Sequence, residues 1–250
     1  MRFRPKAFSL HLLGSGCALT LVLGSLWLGW YRWPGWYLAS ALHIVGILVL
    51  VDLVLGPTLT LIVANPAKPR RELARDIALI VTLQFAALIY GAATLWGGRP
   101  LYYSFSVDRL EIVQASDIEA DELALGRQHN PTFAPHWYSL PRWIWAPLPD
   151  DPEEATRIVT GTVFGHRDVI NMPRYFKPWE QGLPKLRDQL TRLDDTKYFS
   201  KPQKQTLRAR MSEQGLPVNE RNTMIMWGGS RRLLAVFDPA TLHLLAILRA

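Results

Sequence analysis

Three long apolar segments within the first hundred residues constrain the fold of this chain more than any other feature. They run from Phe8 to Trp30, from Trp36 to Ala64 and from Ile77 to Trp96, and charged residues are nearly absent from them. A bilayer core about 30 Å thick is crossed by roughly 20 helical residues, and each segment reaches this length. We therefore expect a membrane protein in which residues 1–97 form a three-helix transmembrane domain. The expected spans are residues 8–30, 36–64 and 76–96.

The basic residues flank these segments unevenly, and the asymmetry predicts an orientation. Lys and Arg in short flanking loops stay on the cytoplasmic side of a membrane. The loop between the first two segments holds only Arg32. The basic residues before the first segment and between the second and third are Arg2, Arg4, Lys6, Lys68, Arg70, Arg71 and Arg75. We therefore expect a cytoplasmic N-terminus, a multi-pass protein of the bacterial inner membrane, and residues 98–250 in the periplasm.

A cleaved signal peptide is the alternative interpretation of the first segment, which has basic residues followed by an apolar core. The segment is longer than a signal core, however, and it ends in the large side chains of Trp27 and Trp30 rather than in small cleavable residues. A retained span is therefore favoured.

Composition and the single cysteine exclude some classes of function. The net charge is +7 and the sequence pI is about 9.7, but many basic residues are expected topological anchors, and no basic block alternates with aromatic residues. We therefore expect no nucleic-acid binding. Cys17 lies inside the first span, so an intrachain disulfide is excluded and packing alone must hold the periplasmic domain together.

Residues 98–250 have the pattern of an α+β domain with an antiparallel sheet. β-Branched and aromatic residues predict a hairpin over Leu101–Val107 and Leu110–Ala115. The proline-rich stretch His129–Pro152 is predicted to be a loop. The predicted helices are Asp117–Gly126, capped by Asp117, then Glu153–Val159, Leu183–Asp194 and Lys201–Glu213. The predicted closing antiparallel meander is Thr223–Trp227, Arg232–Asp238 and Leu242–Leu248.

Polar residues inside the expected spans are candidate functional residues. Asp52 is the most notable, because a carboxylate near the middle of a bilayer costs roughly 2.5–3.5 kcal/mol on insertion scales. Counting helical rise puts Ser15, Asp52 and Gln84 at comparable depths, roughly 10–18 Å from the cytoplasmic ends of their spans. Gly56-Pro57 should break or kink the second span and free backbone carbonyls. The candidate cluster is Ser15, Asp52, Gly56, Pro57, Thr58, Thr60 and Gln84. Such a cluster either binds a partner or only holds the three helices together.

Enzymatic functions are not indicated. An intramembrane aspartyl protease needs two paired membrane carboxylates, and Asp76 lies too close to the cytoplasmic edge to pair with Asp52. The six histidines, including His166, show no metal-ligand spacing, and no nucleophile-elbow or phosphate-binding loop is present. We expect no catalysis, no cofactor and no metal site.

Several motifs of the first 110 residues together resemble the TfpX/TfpZ family of type IV pilin accessory proteins. They are His11-Leu12 with Ser15, Trp30-Tyr31 through Pro34, Asp52, Leu55-Gly56-Pro57, Leu59-Thr60-Leu61, Arg75-Asp76, Gln84, Tyr90-Gly91, Arg99-Pro100 and Asp108-Arg109. Pro173-Arg174-Tyr175-Phe176 and Phe237-Asp238-Pro239 match more loosely.

The resemblance implies a non-enzymatic, chaperone-like protein that binds a type IV major pilin and promotes its stability or its assembly into the pilus. The implied partners are the N-terminal helix and head of the pilin, the inner-membrane assembly platform and the lipid bilayer. Arg75 and Asp76 are candidates at the cytoplasmic edge, although a helix start with an acid near its N-terminal dipole explains them more simply. Arg99, Tyr175 and Trp179 are the periplasmic candidates. The alternative function is a membrane-anchored periplasmic sensor that responds to a ligand or to protons.

Overall fold

The computed structural model describes residues 3–163 and 167–250, without the side chains of residues 162 and 163. Arg2 and His166, which the sequence analysis counted among the basic residues and the histidines, lie outside this range. The chain divides into two compact units, Met1–Arg99 and Pro100–Ala250. Each unit is described separately below.

The Met1–Arg99 unit is helical. Its helices are α1 (Phe3–Gly29), α2 (Gly35–Leu38), α3 (Ala41–Val49), α4 (Gly56–Val63) and α5 (Arg70–Gly97). A π-helical turn, Leu50–Leu55, joins α3 and α4 into one continuous helix over Ala41–Val63. Within the described residues, three helices are long and apolar enough to cross a membrane: Phe3–Gly29, Ala41–Val63 and Arg70–Gly97.

Two helix starts differ from the sequence prediction. The apolar run begins at Trp36, but the long second helix begins only at Ala41, because Ser40 adopts a left-handed conformation with φ 57° and separates α2 from α3. The third helix begins at Arg70, so Arg75 and Asp76 lie in its second turn rather than at its start. Charged residues therefore extend this helix beyond its apolar segment.

The three long helices pack through close contacts between small and large residues. Gly91 of α5 abuts Leu48 of α3, and a Cβ atom at Gly91 would lie 2.5 Å from the Leu48 side chain. At one end of the unit, the Tyr31 hydroxyl donates to the Leu95 carbonyl (2.6 Å), and the rings of Trp30 and Trp96 meet edge to face at 4.9 Å. These contacts fix the spacing of α1, α3 and α5.

The Pro100–Ala250 unit combines one sheet with four α-helices in its described part. The strands are β1 (Pro100–Ser106), β2 (Arg109–Gln114), β3 (Arg142–Trp145), β4 (Lys177–Pro178), β5 (Thr223–Gly228), β6 (Arg231–Phe237) and β7 (Leu244–Leu248). The helices are α6 (Ala120–His129), α7 (Pro152–Val163), α8 (Trp179–Gln189) and α9 (Lys201–Glu213).

The sheet is mixed, so the prediction of a purely antiparallel sheet is wrong. The strand order is β4-β3-β1-β2-β5-β6-β7. The hairpin β1–β2 and the meander β5–β6–β7 are antiparallel as predicted, but β1 pairs with β3, and β2 with β5, in parallel. Parallel neighbours need long crossover connections. The helical segments between β2 and β5 supply one of them.

Two local predictions in this unit are also corrected. The proline-rich stretch predicted as a loop contains β3, whose Ile144 is fully buried in the sheet. Asp117 does not cap α6, which begins at Ala120; its carboxylate accepts the Gln114 N–H (2.7 Å) and closes a short 3₁₀ turn instead.

Among the described residues of this unit, apolar side chains form a cluster on each half of the sheet. Members of the first cluster include Leu101, Tyr102, Val113, Ile144, Val169 and Phe176. Members of the second include Leu193, Phe199, Leu207, Met211, Ile225, Leu234 and Val236. These clusters build the interior of this unit from packed apolar side chains.

Candidate functional site

A hydrogen-bonded polar cluster connects the three long helices of the Met1–Arg99 unit. His11 of α1 contacts the Thr60 hydroxyl through Nδ1 and the Gln84 Oε1 atom through Nε2, both at 2.6 Å. The Gln84 Nε2 atom donates to the Asp52 carbonyl (3.2 Å), to Asp52 Oδ1 (3.3 Å) and to Ser15 Oγ (3.4 Å). Gln84 therefore lies at the centre of a network that draws on all three helices.

The π-helical turn explains why the Asp52 carbonyl is available to Gln84. The Gly56 N–H donates to the Val51 carbonyl, five residues back, rather than to Asp52. Pro57, five residues after Asp52, has no N–H to donate. The Asp52 carbonyl therefore has no hydrogen-bond partner within its own helix. It accepts a hydrogen bond from Gln84 of α5 instead. The predicted break at Gly56-Pro57 thus takes the form of a π turn within a continuous helix, a feature common at functional sites.

The donors and acceptors of the network can be assigned from chemistry. The Asp52 carbonyl only accepts, so the Gln84 nitrogen must face it and the Gln84 oxygen must face His11. His11 Nε2 therefore carries a hydrogen and donates to Gln84. In a neutral imidazole, Nδ1 then accepts the hydrogen of the Thr60 hydroxyl.

One atom of the network stands apart from these bonds. Asp52 is only 3% exposed, and its Oδ2 atom has no hydrogen-bond partner within residues 3–163 and 167–250. A buried polar atom without a partner is energetically costly, and more so in an apolar environment. Asp52 Oδ2 is therefore the atom of the cluster whose hydrogen-bonding capacity is unused.

A cavity of 430 Å³ lies beside Asp52, between α1 and α5. Asp52 and Thr60 of the second helix are among its lining residues, together with Ser15, His11 and Gln84. The rest of the lining is apolar or small: Ala7, Leu10, Gly14, Ala18, Ile77, Val81, Phe85 and Leu88. We call this cavity the α1–α5 groove. It combines an apolar surface about three helical turns long with one cluster of polar groups.

Most of the intramembrane candidates predicted from the sequence meet in this cluster, and one does not. Gly56 lies against Gln84, and Pro57 is buried at the start of α4, but Thr58 is exposed and joins no contact of the cluster. The sequence analysis named His11 among the motifs of the family resemblance but did not include it in the polar cluster. His11 precedes Ser15 by four residues, so the two share one helix face, and this spacing was the signal that could have identified it.

The remaining predicted residues lie elsewhere in the structure. Arg75 is exposed, and Asp76 forms an ion pair with Lys68 (2.7 Å). Arg99 is buried at the end of α5, where it donates to the Trp96 carbonyl (2.6 Å) and its guanidinium lies 4.3 Å from the centre of the Trp96 ring. Arginine at this position satisfies terminal helix carbonyls and complements the helix dipole.

Tyr175 and Trp179 have different surroundings within the Pro100–Ala250 unit. The Tyr175 hydroxyl donates to the Glu154 carboxylate. Trp179 packs edge to face against Trp143 at 5.0 Å and stacks on Phe237 at 6.5 Å. Their contacts are those of packed aromatic residues, and the described residues form no group of three or more side chains suited to a metal ion.

Comparison with known proteins identifies relatives of this chain. A fimbrial assembly protein of serogroups C1 and C2 from Dichelobacter nodosus is 31% identical over 121 residues, which cover 48% of this chain and 92% of that protein. The chain belongs to this family of fimbrial assembly proteins. The fimbrial assembly proteins of serogroups I and E1 from the same organism are each 28% identical over 188 residues, or 74% of this chain and 70% of theirs. No protein-family model and no solved structure matches the chain.

Proposed function

We propose that this member of the fimbrial assembly family is an inner-membrane accessory protein of type IV pilus assembly. In this proposal it binds a pilin through the pilin's N-terminal membrane helix and acts without catalysis. The relatives' names supply the link to fimbrial assembly. The observation that carries the binding mode is the unpartnered Asp52 Oδ2 atom beside the apolar α1–α5 groove.

The shape and chemistry of the α1–α5 groove suit a single transmembrane helix. The lining residues on α1 run from Ala7 to Ala18 and those on α5 from Ile77 to Leu88. Each stretch is about 17 Å long at about 1.5 Å per residue, the length of three helical turns. Gly14 and Ala18 give α1 a small-xxx-small pattern, which lets two helix backbones approach closely in lipid.

Asp52 would supply the polar contact with such a helix. In a bilayer, helix association depends on close packing and on interhelical hydrogen bonds, which contribute about 0.6–2 kcal/mol each. Asp52 Oδ1 and the Asp52 carbonyl are already bonded to Gln84, so Oδ2 is free to bond to a group on the pilin helix. The cluster would therefore hold the three helices together and also present a contact for the partner.

The proposed topology follows from the basic residues. Lys68 and the arginines at the start of α5 would lie in the cytoplasm, and the Pro100–Ala250 unit would lie in the periplasm. A pilin held by its membrane helix would then have its head in the same compartment as this unit. Contact with the inner-membrane assembly platform remains part of the proposal.

Asp52→Asn tests this function, because it keeps the size of the side chain but replaces a carboxylate oxygen by an amide nitrogen, which donates hydrogen bonds instead of accepting them. Cells that carry Asp52→Asn should show about fivefold fewer surface pili, the effect of about 1 kcal/mol of lost helix association, at an unchanged level of the accessory protein. Thr58→Val, at an exposed neighbouring position outside the cluster, should have normal surface pili. Normal piliation in the Asp52→Asn strain would contradict the proposed contact.

A further inference from the structure

A second cavity, of 1010 Å³, lies wholly within the Pro100–Ala250 unit and is lined mainly by charged residues. We call it the charged cleft. Strand β2, helices α6 and α7 and the segment 167–174 contribute to its walls. Its arginines are Arg109, Arg157, Arg167 and Arg174, and its carboxylates are Glu111, Asp117, Glu119, Glu122, Glu154 and Asp168. Among the described lining residues, carboxylates therefore outnumber arginines by two, in a chain whose net charge is +7.

Several of the arginines are already neutralised by these carboxylates. Arg109 bonds to Asp168 (2.5 Å) and to Glu111 (3.0 Å). Arg167 bonds to Glu119 and, at 2.6 Å, to Asp121, which is not among the lining residues of the cleft. In these ion pairs the guanidinium groups are already bonded to carboxylates of the protein. An anionic ligand would have to compete with those carboxylates. The excess charge of the cleft is negative.

Glu122 gives an independent indication of an unfilled position in the cleft, because its ion pairs with Arg167 and Arg174 leave one carboxylate oxygen without a hydrogen-bond partner among the described residues. Its side chain is 95% buried, and its Oε1 atom lies 3.5 Å from the nearest nitrogens of Arg167 and Arg174. Its Oε2 atom has no hydrogen-bond partner in the described part of the chain. A buried carboxylate oxygen is normally bonded, and a charge-assisted donor is its strongest partner. This open acceptor, rather than the number of acids, points to a ligand.

Burial disfavours the ionised form of some acidic groups in the cleft. Burial raises the pKa of Glu111 and of Asp117 above their usual values. Burial and the bond to Glu154 raise the pKa of Tyr175 to about 12, so its hydroxyl stays protonated and keeps Glu154 in place. A cation in the cleft would stabilise the ionised form of these carboxylates.

The cleft adjoins a cavity of 670 Å³, and the volumes of the two cavities bear on the size of the ligand. The two cavities share Arg109, Glu111 and Gly229, where β2 and β5 meet in the sheet. Each cavity is larger than a single ammonium group requires. The second cavity adds Asp108 and Asp195 to the acidic lining, together with Lys197. An extended segment of several residues would fill these cavities better than a small amine.

We propose that the charged cleft binds a basic peptide segment of a partner protein, with a Lys ammonium or an Arg guanidinium bonded to Glu122 Oε2. This inference is independent of the proposed pilin contact in the α1–α5 groove. It assigns a second recognition site to the chain, on a different unit. Its occupant is defined by chemistry: two or more cationic side chains on an extended backbone.

The test uses the full-length protein in nanodiscs of phosphatidylcholine, a zwitterionic lipid that does not attract the probe. The probe is fluorescein-labelled trilysine amide, followed by fluorescence anisotropy, with triglutamine and triglutamate amides as comparison peptides. Trilysine should bind most tightly. Glu122→Gln should weaken trilysine binding about tenfold, the effect of losing one charge-assisted hydrogen bond.

A matched pair of variants on α7 keeps the test decisive even if Glu122→Gln fails to fold. Glu154→Lys places a competing cation in the cleft. It should weaken trilysine binding by at least as much as Glu122→Gln does. Glu153→Lys makes the same change at the adjacent exposed residue, which does not line the cleft, and should leave binding unchanged. Equal binding of trilysine and triglutamine, tighter binding of triglutamate, or equal effects of the two α7 variants would overturn the proposal.

Discussion

The Gln84 side chain lies so close to Gly56 that the two residues restrict each other. A Cβ atom at Gly56 would lie 2.1 Å from Gln84 Nε2 and 2.3 Å from Gln84 Oε1. Contacts this short are not tolerated, so a larger residue at position 56 must displace the Gln84 amide from the place where it reaches the Asp52 carbonyl. Position 56 therefore determines whether the polar cluster can form.

Gly56→Ala should destabilise the Met1–Arg99 unit although alanine is the better helix former. The added methyl group must displace Gln84 and break its bonds to Asp52, and overpacking of this kind costs about 1–3 kcal/mol. Thermal unfolding of the purified full-length protein in detergent measures the loss. Gly46→Ala is the matched control, because Gly46 lies in the same long helix with nothing within 4 Å of its Cβ position. Gly46→Ala should be neutral or stabilising; equal melting temperatures for the two variants would refute the close contact.

The contact between Gly91 and Leu48 predicts a non-additive pair of substitutions. Gly91→Ala forces the Leu48 side chain aside, and Leu48→Ala alone leaves a cavity that costs about 2–5 kcal/mol. The double variant should be more stable than the sum of the single effects, because the new methyl group enters the space that Leu48 vacates. A double-mutant cycle of unfolding free energies measures this coupling. Strict additivity would mean that the two residues do not touch.

Substitution of Gln84 should reveal its two hydrogen-bonding roles. Gln84→Leu removes both the donor to Asp52 and the acceptor for His11, and buried groups left unsatisfied cost about 1–3 kcal/mol each. Gln84→Glu keeps an acceptor for His11 but cannot donate to the Asp52 carbonyl when it is ionised. Both variants should unfold at lower temperature than the native protein in detergent. A Gln84→Glu protein as stable as the native one would show that the bond to Asp52 contributes nothing.

Asp238 should make the stability of the Pro100–Ala250 unit depend on pH. Its Oδ1 atom accepts the backbone N–H groups of Thr241 (2.7 Å) and Ala240 (3.0 Å) and the Thr241 hydroxyl (2.9 Å), and these bonds hold the pKa of Asp238 below its usual value. A depressed carboxyl pKa stabilises the fold above the unfolded-state pKa of about 3.9, and this contribution is lost as the pH falls through the folded-state pKa.

The native protein should therefore be more stable than Asp238→Ala at pH 7, and the difference should shrink as the pH is lowered below about 4. Chemical denaturation of the full-length proteins at several pH values checks this. Asp238→Asn keeps an acceptor oxygen but no charge, so its difference from Asp238→Ala should not change with pH. A gap between the native protein and Asp238→Ala that widens on acidification would contradict the assignment.

The sequence predicts those parts of the fold that rest on local patterns. Hydrophobic length alone identifies the three long helices, and alternation with turn residues locates the β1–β2 hairpin and the final meander. The sequence pattern did not reveal β3, because Arg142–Trp145 is only four residues long and lies among prolines. The parallel pairs were missed for a related reason. They join residues far apart in the chain, such as Glu111 and Trp227, and no local pattern records such a pairing.

Part of the candidate site could also be predicted from the sequence. The depth of Asp52 and Gln84, counted from helical rise, correctly suggested that they could meet, and the structure joins them through a hydrogen bond. The π turn and the place of His11 required the folded helices, because they depend on which face of α1 meets Thr60 and Gln84. The charged cleft was not predicted, since its residues come from separate parts of the chain.

Site-specific photocrosslinking in native membranes tests the central claim most directly. A photoreactive residue would replace Leu10 on α1 or Phe85 on α5, which both line the α1–α5 groove. Leu21 and Leu83 are the matched controls, exposed to a similar degree on the same helices but outside the groove. The account predicts that the two groove positions capture a pilin and that the two controls do not. Equal capture at all four positions, or no pilin at either groove position, would contradict it.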